Sequence, residues 1–188
     1  DLVSPDELNG DLLLMESRNS VRNITAHLLE KGCTLPGFMG DIGYAQSNRE
    51  RYEGFCQALM DAGKTPNPSL CLTTPLGIDS YREEIDSFLS SLSRMPDAFV
   101  CASDYVACIL MQLLEKRGLR VPEDVAVSGF DNNIEDLLAE NLTTVQVFNE
   151  ELGSRLALQI LYRIKYPHTP HEVTYLESKV LYRASTGD

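Results

Sequence analysis

Short apolar segments alternate with amphipathic helical patterns along most of the chain. In the helical patterns apolar residues recur three and four positions apart, as at Val21, Ile24 and Leu28. A strand, a helix and another strand in sequence require a crossover connection, and repeated crossovers produce a mainly parallel sheet that helices cover on both faces. The sequence therefore predicts the α/β fold class.

The pattern can be divided into twelve elements. The helix predicted over 150–165 carries Leu152, Leu156, Ile160, Leu161 and Ile164 at helical spacing. Helices are predicted over 19–31, 49–62, 78–92, 105–117 and 150–165, and strands over 35–39, 69–72, 98–102, 125–128, 143–146, 173–176 and 179–182.

Charge limits the kinds of partner. The 188 residues carry 16 Lys and Arg against 28 Asp and Glu, so the formal net charge is −12. Proteins that bind DNA through its phosphates present clustered Lys and Arg that displace counterions. We therefore expect no DNA contact by this segment itself; if DNA is a partner, another part of the protein must bind it.

Hydropathy and cysteine usage indicate a soluble protein of the cytoplasm. Charges, Gly or Pro interrupt every apolar run before the roughly 18–20 residues that a membrane span needs. The N-terminal residues lack the basic and cleavage segments of a signal peptide. The five cysteines are an odd number without a CxxC pair, which indicates thiols in a reducing compartment and argues against a zinc site. No membrane partner, metal or cofactor is predicted.

Three loops are the places to look for a ligand site. In open α/β sheets, ligands collect at the carboxyl ends of the strands, and the loops that follow predicted strands there cover residues 40–51, 101–104 and 128–133. They supply donors and acceptors suited to a hydroxyl-rich small molecule. The candidate binding residues are Asp41, Arg51, Ser103, Asp104, Asp131 and Asn132.

Each main candidate also has a purely structural interpretation. Asp104 precedes an apolar helix, so capping that helix is the favoured role from the residues alone. Arg51 could instead pair with Glu50 or Glu53 at the surface. Asp131 could cap a short helix beginning near residue 133.

Enzymatic function finds little support in the motifs. The chain has no GxGxxG, GxxxxGK[ST], GxSxG or HExxH segment. His168 and His171 lie in a proline-flanked surface segment, and His27 lies inside the first predicted helix. We therefore expect a non-enzymatic protein; a flavodoxin-like enzyme is a minor alternative.

Several segments, in one order, resemble the effector-binding core of the Lac-repressor/GalR family of transcription regulators. The most specific are VPEDVAVSGFDN (121–132) and LTTV (142–145). NRERYEGFCQAL (48–59) resembles the family's arginine-containing helix, AFVCASDY (98–105) its strand before an Asn-Asp turn, and VLYRAST (180–186) its C-terminal segment.

The resemblance implies a periplasmic-binding-protein-like fold of type I. Such a two-lobed sensor binds sugars, nucleobases or related metabolites between its lobes and acts as a homodimer. Arg51 matches the position whose guanidinium holds effector hydroxyls, and Asp131 matches the carboxylate that accepts from them. Ser103 stands where the family usually has Asn, and Val147 where a polar contact often lies. These departures leave the identity of the effector open.

The same resemblance predicts how the chain is divided. Residues 1–40 and 148–167 are expected to form a partial N-terminal lobe, and residues 41–147 and 168–188 a complete C-terminal lobe. The family's N-terminal helix-turn-helix has no counterpart here, so operator binding is expected only through that missing part. The alternative function is a sugar-binding protein of an ABC-type transporter with the same fold.

Overall fold

The computed structural model describes residues 9–77, 79–133 and 139–188. Within these ranges a 3-10 turn, Pro68–Leu70, occupies part of the strand predicted over 69–72, because Pro cannot donate to a strand ladder. The helices are α1 (Arg18–Glu30), α2 (Gln46–Asp61), α3 (Tyr81–Ser91), α4 (Asp104–Lys116) and α5 (Asn149–Lys165). The strands are β1 (Leu12–Met15), β2 (Pro36–Met39), β3 (Cys71–Leu72), β4 (Ala98–Cys101), β5 (Ala126–Ser128), β6 (Thr144–Gln146), β7 (Val173–Leu176) and β8 (Lys179–Leu181).

A four-stranded parallel sheet in the order β3-β2-β4-β5 forms the centre of the larger unit. Every residue of β2, β4 and β5 is buried, because helices cover both faces. Apolar residues of α1 and α2, including Ile24 and Phe55, pack on one face, and Ile85 and Leu110 of α3 and α4 pack on the other. The predicted α/β class with a parallel sheet is confirmed.

Parallel pairing brings the carboxyl ends of β2, β4 and β5 to one edge of this sheet. The loops that follow these strands are the three that the sequence singled out. Beyond them the chain continues through Thr143, which bridges to Ser128 in parallel, into β6, whose Gln146 bridges to Asp131 in parallel. β6 also pairs with β8 in antiparallel fashion. The loop after β5 is therefore fixed along β6.

A smaller unit consists of β1 and β7, paired in parallel, together with α5. Asp11, just before β1, accepts hydrogen bonds from Arg163 and Gln159 of α5 and from the backbone N–H of Glu172 before β7. This carboxylate connects the three elements. The ion pair between Asp11 and Arg163 lowers the pKa of Asp11 far below its usual range.

The apolar stripe of α5 is exposed. Leu156, Ile160, Leu161 and Ile164 are each at least half exposed, and Leu152 is half buried. The helical period was correctly assigned, but an apolar face is buried only where another element covers it. In the described structure the two-stranded sheet lies against the side of α5 that carries Gln159 and Arg163.

Packing also changes the proposed division of the chain. β2 lies inside the larger sheet, and α1 shares a core with α2, whereas the predicted boundary at residue 40 assigned both to the smaller lobe. β7 pairs with β1 in the smaller unit, although 168–188 was assigned to the larger one. We propose a boundary near residue 17 and place 173–176 with the smaller unit.

The predicted helices over 19–31, 49–62, 105–117 and 150–165 correspond to α1, α2, α4 and α5. α3 corresponds to the helix predicted over 78–92, and Ile78 lies outside the described residues. Most of the short helix expected near residue 133 also falls outside them.

Gly54 allows α2 to approach α1 closely. A Cβ at this position would lie 2.2 Å from the carbonyl oxygen of Arg18. Although Ala forms helix better than Gly by about 1 kcal/mol, we expect Gly54→Ala to lower the free energy of unfolding by about 1–3 kcal/mol, the usual cost of overpacking.

Gly153 provides the control because it lies inside α5 where, apart from its chain neighbours and the backbone of α5, no described atom lies within 4 Å of an added Cβ. Gly153→Ala should leave stability unchanged or raise it by up to about 1 kcal/mol. Chemical denaturation of both variants checks the prediction. Equal stabilisation by the two substitutions would contradict the close contact of α1 with α2.

Candidate functional site

Polar side chains from the three loops and α2 converge on a cavity of about 190 Å³ at the carboxyl edge of the larger sheet. Four of the six predicted binding residues line it: Asp41, Arg51, Ser103 and Asp131. The other lining residues are Gly40, Tyr44, Ser47, Asn48, Tyr81, Ala102 and Val106.

Arg51 forms the base of this cavity. Its guanidinium donates from Nη1 to the carbonyl oxygen of Ala102 at 2.5 Å and to Oδ1 of Asn48 at 3.3 Å. Its Cζ lies 3.7 Å from the centre of the Phe130 ring. Among the described residues, the buried Nε has no hydrogen-bond partner. An unsatisfied buried donor is unfavourable, so this N–H is suited to an additional acceptor.

Asp131 faces Arg51 across the cavity, with Oδ1 3.5 Å from Nη2. Its side chain is only 30% exposed. Burial raises the pKa of the Asp131 carboxyl from 3.8 to about 6, and Arg51 opposes that rise. Burial also lowers the pKa of the Arg51 guanidinium, with Asp131 acting in the opposite direction. The attraction between Arg51 and Asp131 therefore offsets only part of the cost of burying the two charges.

Ser103 and Asp41 combine a structural role with a place at the cavity. The Ser103 hydroxyl caps α4 by accepting from the backbone N–H of Val106. Asp41 accepts through Oδ1 from the N–H groups of Gly43 and Tyr44, which shapes its own loop. The surface pairing considered for Arg51 is not what the structure shows, because Arg51 is buried and its ion pair is with Asp131.

Asp104 and Asn132 lie outside the lining of the cavity. Asp104 is 1% exposed, and its carboxylate accepts from the Thr144 hydroxyl at 2.5 Å. The capping role predicted for Asp104 belongs to its neighbour Ser103, whose backbone is extended as a cap requires. The Asn132 side chain bonds to Gln146 and Arg183 instead of facing the cavity.

The sequence reasoning missed Tyr44, Ser47, Asn48 and Tyr81. Tyr44 and Ser47 lie in the loop segment already selected, and Asn48 is one helical turn before Arg51, so spacing could have found them. Tyr81 enters from the start of α3, a part of the fold that follows no singled-out strand. Its ring packs edge-on to Tyr105 with centres 5.6 Å apart.

A second cavity, of about 260 Å³, shares Ser47 and Arg51 with the first. Residues Leu13 to Met15 of β1 line its other side, so it lies between the smaller unit and α2. Beside it the Tyr175 hydroxyl of β7 donates to the buried Glu50 carboxylate at 3.2 Å. Complete ligand pockets typically enclose roughly 300–1,000 Å³. Each of the two cavities is smaller than that range, and they adjoin at Ser47 and Arg51.

No cluster of three or more His, Cys, Asp or Glu side chains placed to hold a metal ion occurs in the described part of the chain. Among the same residues, no helix has the length and apolar composition needed to cross a bilayer.

Comparison with known proteins agrees with this architecture. The family model for the periplasmic binding protein-like domain matches residues 25–186. The HTH-type transcriptional repressor PurR of Aliivibrio salmonicida is 28% identical over 183 residues, which make up 96% of this chain and 54% of the relative.

Two solved structures resemble the chain closely. One is the complex of the transcriptional regulator CelR with cellobiose, with a TM-score of 0.82 and 26% identity, covering 94% of this chain and 54% of that one. The other is a LacI-type transcription regulator from Bifidobacterium animalis subsp. lactis, with a TM-score of 0.78 and 26% identity, covering 94% and 67%.

A parallel sheet with a polar cleft at its carboxyl edge, joined to a second smaller sheet, defines a ligand-binding domain. The chain belongs to the periplasmic-binding-protein-like domain family, as an effector-binding domain of the LacI type. The chain spans about half the length of the curated relatives it matches.

The raised pKa of Asp131 predicts a pH-dependent cost to stability. The folded state holds the Asp131 proton more tightly than the unfolded state does. Asp131 therefore destabilises the fold increasingly as the pH rises from 3.8, the pKa of the carboxyl in the unfolded chain, to about 6, its pKa in the folded protein. Asp131→Asn, which also tolerates a positive φ, should raise the free energy of unfolding by roughly 2 kcal/mol at pH 7.5.

At pH 4 most of that gain should disappear, because the wild-type carboxyl is then protonated in the folded state. Urea denaturation of both proteins at the two pH values measures the difference. If Asp131→Asn instead lowered the free energy of unfolding equally at both pH values, the surroundings would stabilise the carboxylate, which contradicts the prediction.

Proposed function

We propose that the domain binds a small hydroxyl-rich metabolite, such as a sugar, in the cleft between its two units, and that this binding controls DNA binding in the intact regulator. Arg51 and Asp131 hold the ligand, with Asp41 and Ser103 beside them. The proposal rests on the buried Arg51 guanidinium, which faces Asp131 across the cavity and whose Nε has no hydrogen-bond partner within residues 9–77, 79–133 and 139–188.

The donors and acceptors suit such a ligand. The rigid fork of a guanidinium can donate to two oxygens at once, and a carboxylate can accept from two hydroxyls. Arg51 and Asp131 are 3.5 Å apart, which is a loose ion pair. Hydroxyls placed against both groups would replace this weak contact with charge-assisted hydrogen bonds, which are stronger than neutral ones.

Aromatic side chains at the cavity favour a ring-shaped ligand. Tyr44 and Tyr81 both line it, and Tyr44 is 60% exposed. A tyrosine ring offers an apolar face together with a hydroxyl, a combination that can contact both the C–H face and the oxygens of a sugar. The structural similarity to a regulator solved with cellobiose supports the same class of ligand.

The relatives favour a sensor over the transporter and enzyme alternatives. The named relatives are transcription regulators, and the candidate site contains no paired nucleophile and general base among its described residues. A sugar-binding protein of a transporter would share the fold but finds no comparable support.

The control of DNA binding follows from the position of the cleft. A ligand held by both units stabilises their closed arrangement and shifts the population towards it. In a homodimer such closure moves the contacts between subunits, and with them the helix-turn-helix heads that contact operator DNA. The coupling is limited by the difference in ligand affinity between open and closed forms.

Substitution of Arg51 tests the ligand site. Full-length protein is titrated calorimetrically with a panel of saccharides that starts with cellobiose, followed by purines. Arg51→Lys keeps the charge but loses the planar fork, so affinity for the compound that binds should fall at least about tenfold, the value of one charge-assisted hydrogen bond.

Arg49→Ala provides a matched control, since Arg49 is an exposed arginine two positions earlier on α2. It removes a positive charge from the same helix and should leave affinity unchanged. Equal affinities in wild type and Arg51→Lys would refute the role assigned to Arg51.

A further inference from the structure

We propose that Asp104 is a positioning residue of the cleft: its buried carboxylate holds the loop of residues 129–133 in the conformation that presents Asp131 to Arg51. This role of Asp104 rests on the proposed function, because it concerns the ligand site, but the conformation of the loop can be tested without a ligand.

Asp104 contacts this loop from the first turn of α4. The backbone N–H groups of Asn132 and Asn133 donate to its carboxylate, and the Thr144 hydroxyl of β6 donates to it at 2.5 Å. The Asp104 N–H in turn donates to the carbonyl oxygen of Phe130 at 2.8 Å. One residue therefore fixes the backbone immediately before and immediately after Asp131.

The loop needs such an anchor because its backbone is strained. Asp131 has a φ of 108° and Asn132 a φ of 50°, and they are the two residues other than glycine with positive φ in the described chain. Consecutive residues in this region persist only where the surroundings impose it. A released loop would relax, and the carboxylate of Asp131 would leave its position 3.5 Å from Arg51.

Gly129 gives a second, independent sign of this arrangement. A Cβ at position 129 would lie 2.2 Å from Oδ1 of Asp104 and 3.0 Å from its Cα. The loop can therefore reach Asp104 only because residue 129 has no side chain. The close contact between Gly129 and Asp104 therefore belongs to the structure of the carboxyl end of β5.

The charged groups around Asp104 predict that its loss will change the pKa of Asp131 as well as the stability of the fold. Asp104 faces Arg51 from α2, Asp131 from the loop and Arg183 from the C-terminal segment. Burial of Asp131 raises its pKa most, Arg51 opposes that rise, and the Asp104 carboxylate adds to it. Loss of Asp104 should remove its own influence directly and, by releasing the loop into solvent, that of burial, so the pKa of Asp131 should fall from about 6 towards its ordinary value of 3.8.

The experiment compares wild type, Asp104→Ala and Asp104→Asn in the full-length protein. Amide hydrogen exchange followed by mass spectrometry reports on residues 129–133, and NMR of ¹³C-labelled aspartate reports the titration of Asp131. Asp104→Ala should accelerate exchange in this loop at least tenfold and lower the pKa of Asp131. Asp104→Asn retains an acceptor oxygen, so it should restore much of the loop protection while still lowering that pKa.

Asp97→Ala is the matched control because the Asp97 carboxylate anchors a different loop, accepting from the N–H groups of Thr34 and Leu35. Asp97→Ala should leave amide hydrogen exchange in residues 129–133 unchanged. If Asp104→Ala does not fold, Thr144→Val removes one hydrogen bond to Asp104 without changing its charge, and should accelerate exchange several-fold.

Unchanged exchange and an unchanged Asp131 titration in folded Asp104→Ala would overturn the proposal, as would equal effects of Asp97→Ala. Failure of the proposed function has a different signature. In that case Asp104→Ala would still release the loop, whereas Arg51→Lys would not alter the binding of any compound in the panel.

Discussion

The buried guanidinium of Arg51 is the interaction on which the cleft depends. It connects α2 to the end of β4 through the Ala102 carbonyl, packs on the Phe130 ring and faces Asp131. A buried charge is costly unless it is paired and fully hydrogen-bonded. Here the pairing is loose and the Nε–H has no partner in the part of the chain that the structure describes, so the fold retains an electrostatic cost that a polar ligand could reduce.

The rest of the larger unit supports this arrangement. Parallel strands place three loops at one edge, Gly54 lets α2 lie against α1, and Asn132 joins Gln146 of β6 to Arg183 near the C-terminus. The loop that carries Asp131 is thus fixed to the strand that leads to α5. Movement between the two units would act on the same backbone that positions the candidate ligand-binding carboxylate.

Sequence periodicity predicted the helices and the central sheet well, because alternating buried strands and amphipathic helices permit few architectures. β1 was missed, since Leu12–Met15 is a short run of apolar residues without alternation. The exposed face of α5 and the true partners of β2 and β7 depend on tertiary packing. For the candidate site, the loops that follow predicted strands and the family resemblance together selected Arg51 and Asp131. The sequence alone could not show that the Asp104 side chain points towards Thr144, because the direction of a helical side chain depends on how the helix is placed against the sheet.

The role of Arg51 and Asp131 in holding a ligand can be tested by a crystal structure of the full-length protein bound to the compound identified by titration. We expect ligand oxygen or nitrogen atoms within about 3.2 Å of both the Arg51 guanidinium and the Asp131 carboxylate. A ligand bound in another cavity, with Arg51 and Asp131 still in direct contact at 3.5 Å, would contradict that role.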